Sequence, residues 1–195
     1  MFNRLEGGQA PYKSADLLPA VRDRLVDAAY QNFDYVAHVD LRPSVMSLPY
    51  LLSGDPDEFI YIFEQVRGDV WDNLLADYNQ MSGWYMARVN YSFLGNRFVS
   101  NAEEAKGAKF RTLGKALAAK VEALDVTAVV LPWGDVFDAI QRGMIDGVVI
   151  TVGGGGVRYK LFEVVDKVTR TPGMPGTPQA LVINLDAFNE LSPDL

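Results

Sequence analysis

The chain has 195 residues, nearly half of them apolar, and a formal net charge of −7. That is enough apolar material for one domain or two small ones, and too little basic surplus for a sequence-independent nucleic-acid binder. It has no cysteine and one histidine, His38, which excludes disulfides, thiol nucleophiles and metal sites rich in Cys or His, and leaves a Ser-His-Asp triad a single imidazole to use.

Ser14 reads as a helix N-cap, and Ala15 to Arg24 places Leu17, Leu18, Val21 and Leu25 on one side. Val26 to Tyr30 reads as a short buried strand, Asn32 to Val39 as a helical turn, and Pro43 to Leu52 as irregular. Asp55-Pro56-Asp57-Glu58 is a helix start, with Pro at an early position and acids in the first turn. Phe59, Ile62, Phe63, Val66, Val70 and Leu74 then mark a long amphipathic helix to about Tyr78. Trp84 to Phe93 alternates as a strand does. A short helix from Asn101, a strand at Lys109 to Arg111, a helix at Leu113 to Leu124 and a buried strand at Val126 to Val130 follow. Pro132 to Arg142 reads as a helix ended by Gly143, Gly147 to Val152 as a strand, and Val157 to Val165 as a helix. Short strands at Lys167 to Arg170 and Ala180 to Asn184 and a turn of helix at Leu185 to Glu190 close the chain. The alternation of helices and apolar strands predicts an α/β fold with a largely parallel sheet. Thr171 to Pro178, rich in Pro and Gly, reads as a loop or crossover. No apolar run of about eighteen residues occurs, and the start Met1-Phe2-Asn3-Arg4-Leu5-Glu6-Gly7-Gly8 is polar, without a signal-peptide pattern.

One arginine stands out. Arg111 closes Lys106-Gly107-Ala108-Lys109-Phe110-Arg111 after the polar stretch Ser100-Asn101-Ala102-Glu103-Glu104-Ala105, and Leu131-Pro132-Trp133-Gly134-Asp135 with Gly143-Met144-Ile145-Asp146-Gly147 lies downstream. These stretches, together with Leu17 to Tyr30, Ser47-Leu48-Pro49-Tyr50-Leu51-Leu52 and Gly95-Asn96-Arg97-Phe98-Val99-Ser100, resemble in order the extracytoplasmic substrate-binding subunits of TRAP transporters. The resemblance implies a periplasmic-binding-protein type II-like α/β fold of two lobes joined by crossing strands. Lobe one would be residues 1–88 with 179–195, and lobe two residues 89–178. It implies a periplasmic protein that holds a small organic acid between the lobes and hands it to the membrane subunits of a TRAP transporter. The residues themselves show no catalytic constellation and call for no cofactor or metal, and the acidic charge argues against nucleic acid. Family members begin with a strand, a helix and a second strand ahead of the region resembling Gly7-Gly8, and continue beyond Leu191-Ser192-Pro193 with a long hinge helix. The chain is therefore expected to correspond to the middle of such a protein.

The site residues follow from the residues and the resemblance together. A guanidinium offers two parallel donors to a carboxylate, so Arg111 at a strand end either grips the ligand or pairs with Glu103, Glu104 or Asp135. Trp133 either packs on the ligand or fills a core. Tyr30, Gln31 and Asn32 follow a strand, at the end of which ligands bind in open α/β sheets. Tyr91 and Ile150 stand where many family members carry a second Arg and an Asn, and Thr151 follows. The resemblance thus implies an apolar, aromatic pocket suited to a monocarboxylate with an apolar or aromatic body, ahead of small dicarboxylates and sialic acid. Two other readings remain: a small α/β enzyme that uses Gly153-Gly154-Gly155-Gly156 for an anionic substrate, and a fragment of the transport protein that binds nothing.

Overall fold

Two β-sheets, each with its own packing, carry the chain. The computed structural model describes residues 11–87, 90–131, 133–157, 159–171 and 173–192. The polar start through Gly8, the expected lobe boundary at Arg88 and Val89, Pro132 and the end at Leu195 therefore lie outside the described residues.

The first sheet has the order β1-β8-β2, formed by β1 (Ala28–Asn32), β8 (Gln179–Asn184) and β2 (Gln80–Met86), and both pairings are antiparallel. Strand alternation sends Ala180 and Val182 of β8 inward. There they meet Leu18 and Val21 of α1 (Leu17–Arg22), Phe59 and Phe63 of α2 (Pro56–Arg67), and Trp71, Leu74 and Leu75. The opposite face carries a row across the sheet, Tyr30 beside Leu181 beside Trp84, in which Tyr30 and Trp84 are about half exposed.

Helix α2 forms for local reasons. The Asp55 carboxylate accepts the N–H of Asp57 (2.7 Å) and of Glu58 (3.3 Å), Pro56 opens the first turn, and Phe59, Ile62, Phe63 and Val66 line one face. The rod continues through a π-turn at Gly68–Asp72 into α3 (Asn73–Asp77). The extra residue in that turn sets Trp71 fully into the core, edge-on to Phe63 at 5.0 Å.

The second sheet has the order β5-β4-β6-β3-β7. Strand β4 (Lys109–Thr112) runs parallel to β5 (Thr127–Val130) and β6 (Gly147–Ile150), whereas β3 (Ser92–Gly95) is antiparallel to both β6 and β7 (Lys167–Arg170). Helix α4 (Ala102–Ala105) precedes β4, and its N-cap Asn101 accepts the Glu104 N–H at 2.9 Å. Helix α5 (Lys115–Glu122) covers one face, where Phe93, Phe110 and Val149 meet Leu117 and Val121. Helix α6 (Trp133–Gln141) covers the other, where Leu94, Val148 and Ile150 meet Val136, Ala139 and Ile140. Strands β3 and β6 approach so closely that a Cβ on Gly147 would lie 2.2 Å from the Leu94 carbonyl oxygen and one on Gly95 2.3 Å from that of Asp146. Only glycine fits this pair of positions.

The architecture corrects the sequence reading at several points. The sheets are antiparallel and mixed, not largely parallel, because β8 returns from late in the chain to run between β1 and β2. Strand β1 starts two residues later than expected and is an edge strand with exposed residues. Strand β5 is also an edge and only partly buried. The aromatic run from Trp84 to Phe93 belongs to two strands in two sheets, with a crossing between Met86 and Ser92. Ser14 opens a 3-10 turn instead of capping a helix. The helix expected at Val157 to Val165 is replaced by a π-turn at Val152–Gly156 and a 3-10 turn at Leu161–Glu163. Lys160, with φ +54°, interrupts any continuous helix there. Helix α7 (Leu185–Asn189) ends the described fold, capped by the Asn184 side chain, which accepts the Ala187 N–H at 3.0 Å.

Between the sheets the chain crosses twice, and the crossings are tied together. The Tyr91 N–H donates to the Met174 carbonyl at 2.9 Å, and the Thr171 hydroxyl donates to the Tyr91 carbonyl.

Candidate functional site

Alternation along β4 turns Phe110 toward α5 and Arg111 toward α6. Because β4, β5 and β6 are parallel, their C-terminal ends lie together, which is where open α/β sheets hold ligands. Arg111 is 2% exposed. Its Nε–H donates to the Leu131 carbonyl at the exit of β5 (3.0 Å), and its Cζ stands 4.2 Å from the centre of the Trp133 ring. Trp133 stacks on Tyr159, 4.4 Å between centroids and 10° between planes. Desolvation lowers the Arg111 pKa, while Tyr35, by hydrogen bonding and charge, and then Tyr159 and Tyr91 oppose it. A guanidinium keeps its proton under such conditions, so the site holds a buried cation.

That cation is not neutralised by the acids considered from sequence. Glu104 is turned to the Ser100 N–H at 2.8 Å, and no ion pair joins Arg111 to Glu103, Glu104 or Asp135 among the described residues. One guanidinium nitrogen, Nη1, is buried with no hydrogen-bond partner. A buried donor in that condition costs free energy until something accepts from it.

A second group of polar side chains arrives from β1. Asn32 Oδ1 accepts the Asp34 N–H (2.9 Å) and the Thr177 hydroxyl (3.3 Å), an Asx turn that starts the 3-10 turn Phe33–Tyr35. This turn bridges the sheets, with Phe33 in the first core and Tyr35 packed against the second. The Asp34 carboxylate, 3% exposed, accepts the Tyr91 hydroxyl through Oδ2, and Oδ1 has no partner. Gln31 is fully buried, with its amide donating to the Asn32 carbonyl at 2.9 Å. Nearby, Lys120 of α5 reaches across to the first sheet's side and donates to the Ser47 hydroxyl at 2.7 Å. Burial lowers its pKa against the opposing charge of Asp34.

The sequence-derived residues thus divide. Arg111, Trp133 and Tyr91 come together, and Asn32 joins them through Asp34. Gln31 sits behind Asn32. Tyr30 packs on Trp84 on the outer face of the first sheet, 5.8 Å between centroids. Ile150 and Thr151 are buried at the end of β6. The Thr151 carbonyl accepts the N–H groups of Gly155 (3.2 Å) and Gly156 (3.4 Å). A Cβ on Gly155 would fall 2.0 Å from Ile150 Cδ1. The glycine run therefore folds down on Ile150 and leads the chain to Tyr159, a packing role in place of the anion-binding turn considered from sequence. His38 is exposed, its Nδ1 2.9 Å from the Tyr35 carbonyl oxygen. Among the described residues no group of His, Asp and Glu side chains is arranged to hold a metal.

Three residues were missed from sequence: Asp34, Tyr35 and Tyr159. The Asn32-x-Asp34 spacing of an Asx turn was the available signal for the first two. Nothing local marks Tyr159. A cavity of about 710 Å³ lies elsewhere, between the start of α2 and the ends of β6 and β7, lined by Asp55, Asn90, Ser92, Gly153 and Arg170 among others. Its one lining arginine, Arg170, is exposed.

The chain matches the family described as bacterial extracellular solute-binding protein, family 7, over residues 8–195. It is 22% identical over 188 residues to the ectoine-binding periplasmic protein TeaA of Halomonas elongata, covering 93% of this chain and 54% of TeaA. DctP6, a Bordetella pertussis extracytoplasmic solute receptor solved with pyroglutamic acid, superposes with a TM-score of 0.81 at 21% identity, over 94% of this chain and 60% of that one. A TRAP periplasmic solute-binding protein from Chromohalobacter salexigens, solved with bound D-glucuronate, gives 0.80 at 20% identity, over 92% of this chain and 60% of that one. The fold is therefore the type II-like α/β fold of those receptors, and the chain spans about half the length of the curated relatives it matches.

Proposed function

Since the chain belongs to family 7 of the bacterial extracellular solute-binding proteins, we propose that it serves to capture a small organic acid outside the cytoplasmic membrane for delivery to the membrane subunits of a TRAP transporter. The observation that carries this reading is the buried, unpartnered Nη1 of Arg111. A carboxylate oxygen placed there accepts a charge-assisted hydrogen bond and neutralises a cation that has no ion-pair partner among the described residues. Trp133, stacked on Tyr159 and with the guanidinium over its ring, offers apolar surface near the site to the body of the acid. Residues 1–88 with 179–195 act as one lobe and 89–178 as the other, and a ligand touching both favours the closed arrangement. The names of the relatives describe binding, ectoine for TeaA and pyroglutamic acid for DctP6, so the chain is read as a receptor and not an enzyme.

Thermal melting against organic acids, with ectoine, pyroglutamate, D-glucuronate and aromatic acids among them, tests this reading. At least one acid is expected to raise Tm. Arg111→Ala is expected to weaken its binding by about 2–5 kcal/mol. An unchanged affinity in that variant removes Arg111 from the site.

A further inference from the structure

Helix α5 carries a lysine where its spacing calls for an apolar residue. Leu117, Lys120 and Val121 share one face of the helix, and all three are buried. Leu117 and Val121 belong to the second sheet's core. The Lys120 ammonium instead reaches the other half of the molecule, where it donates to the Ser47 hydroxyl at 2.7 Å. Ser47 ends the 3-10 turn Arg42–Ser47, which sets Met46 into the first core. The serine is fully buried, and its own hydroxyl donates to the Ser44 carbonyl at 2.9 Å. The ammonium therefore sits in the seam between the two halves with a neutral hydroxyl for a partner. Among the described residues no carboxylate is hydrogen-bonded to it, and Asp34, which is bonded to Tyr91, acts on it through charge alone.

A cation in this place is stabilised unequally by the two arrangements of the halves. With the halves seated on each other it has lost most of its water and gained one hydrogen bond to an uncharged group, which does not make good the loss. With the halves parted, water enters the seam and solvates it. We propose that Lys120 is a brake on closure: its buried charge opposes the seating of the two halves, and the Ser47 hydroxyl relieves that opposition in part. A ligand that touches both halves works against the brake, so Lys120 lowers affinity without touching the ligand. It is a positioning residue that acts through the seam. Its effect on affinity rests on the capture reading given above, and its effect on the halves themselves does not.

The chain has no cysteine, so Tyr61→Cys on α2 and Met144→Cys after α6, both at exposed positions, place one spin label on each half. Pulsed electron resonance then reads the distance between the labels in the unliganded chain at neutral pH. Adding Lys120→Met is expected to shift the distribution toward the distance of the seated arrangement. Adding Ser47→Ala, which leaves the ammonium buried without its acceptor, is expected to shift it away. Shifts of the same sign, or an unmoved distribution in either variant, overturn the proposal. Where Lys120→Met does not fold, Lys120→Gln keeps a donor for Ser47 without the charge and carries the same expectation. Calorimetric titration with an acid that raises Tm reads the consequence for binding. Lys120→Met is expected to bind about fivefold or more tightly than the unmodified chain, and Ser47→Ala more weakly. Equal or weaker binding in Lys120→Met overturns the brake, while Arg111→Ala still decides the capture reading. If no acid binds, the capture reading fails and the label distances alone decide whether Lys120 opposes seating.

Discussion

At the scale of residues, two buried cations in one molecule have different fates. Arg111 cannot shed its proton, so it needs an acceptor, and the indole face of Trp133 with the Leu131 carbonyl supplies only part of one. Lys120 can shed its proton. Burial lowers its pKa from the ordinary value of 10.5, with Asp34 pulling the other way. Between the lowered folded value and 10.5 the unfolded chain binds the extra proton, so stability rises with pH through that window, and the full penalty of the buried charge is present below it. Denaturant melts of the wild type and Lys120→Met at neutral pH and near pH 10 check this. The wild type is expected to gain stability relative to the variant as pH rises. Parallel pH dependence in the two proteins would mean that Lys120 is solvated in practice. Arg111 was singled out from sequence because the stretches around it, Lys106-Gly107 before and Leu131-Pro132-Trp133 after, resemble a known family. Asp34 and Tyr35 were not singled out because their importance comes from Tyr91 and Arg111, which only the fold brings to them.

At the scale of elements, the turn after β6 tests whether its glycines serve packing. An alanine at Gly155 would put its methyl 2.0 Å from Ile150 Cδ1, so either Ile150 leaves its rotamer or the turn lifts from β6. Gly155→Ala is expected to destabilise by about 1–3 kcal/mol and to pull Tyr159 away from Trp133. Gly153→Ala, where a Cβ meets nothing within 4 Å, is expected to be milder by comparison in the same thermal melts. If the two variants melt alike, close packing is not the reason for the glycines. The elements readable in advance were those whose signals are local: α2 from its capping Asp55 and Pro56, α4 from Asn101, and α6 from its apolar stripe. The sheet directions were not readable. Nothing between Ala28 and Met86 announces that Gln179–Asn184 will lie between those strands, and a helix-like spacing after Val157 could not reveal that Lys160 takes a left-handed conformation.

At the scale of the whole molecule, the two sheets communicate through few polar contacts. Among the described residues these include Asp34 with Tyr91, Tyr35 with Arg111, Lys120 with Ser47, the Tyr50 N–H with the Gly173 carbonyl at 2.7 Å, and Asn90 with the Gly54 carbonyl at 3.2 Å. Asp34 and Tyr91 belong to different sheets' segments, and Tyr91 also acts on the charge of Arg111.

The three tryptophans are distributed so that each sees a different surrounding: Trp71 sealed in the first core, Trp84 half exposed on the first sheet's outer face, and Trp133 between a guanidinium and a phenol ring. Only the third is tied to the arginine, which makes the site optically addressable. With Trp71→Phe and Trp84→Phe in place, the emission of the chain would come from Trp133 alone. Drawing the Arg111 charge toward an acid weakens its field on that indole, so titration with a binding acid is expected to shift the emission maximum and intensity with the same midpoint as the heat of binding. An acid that binds by calorimetry while the Trp133 spectrum stays still would be seated somewhere other than against Arg111.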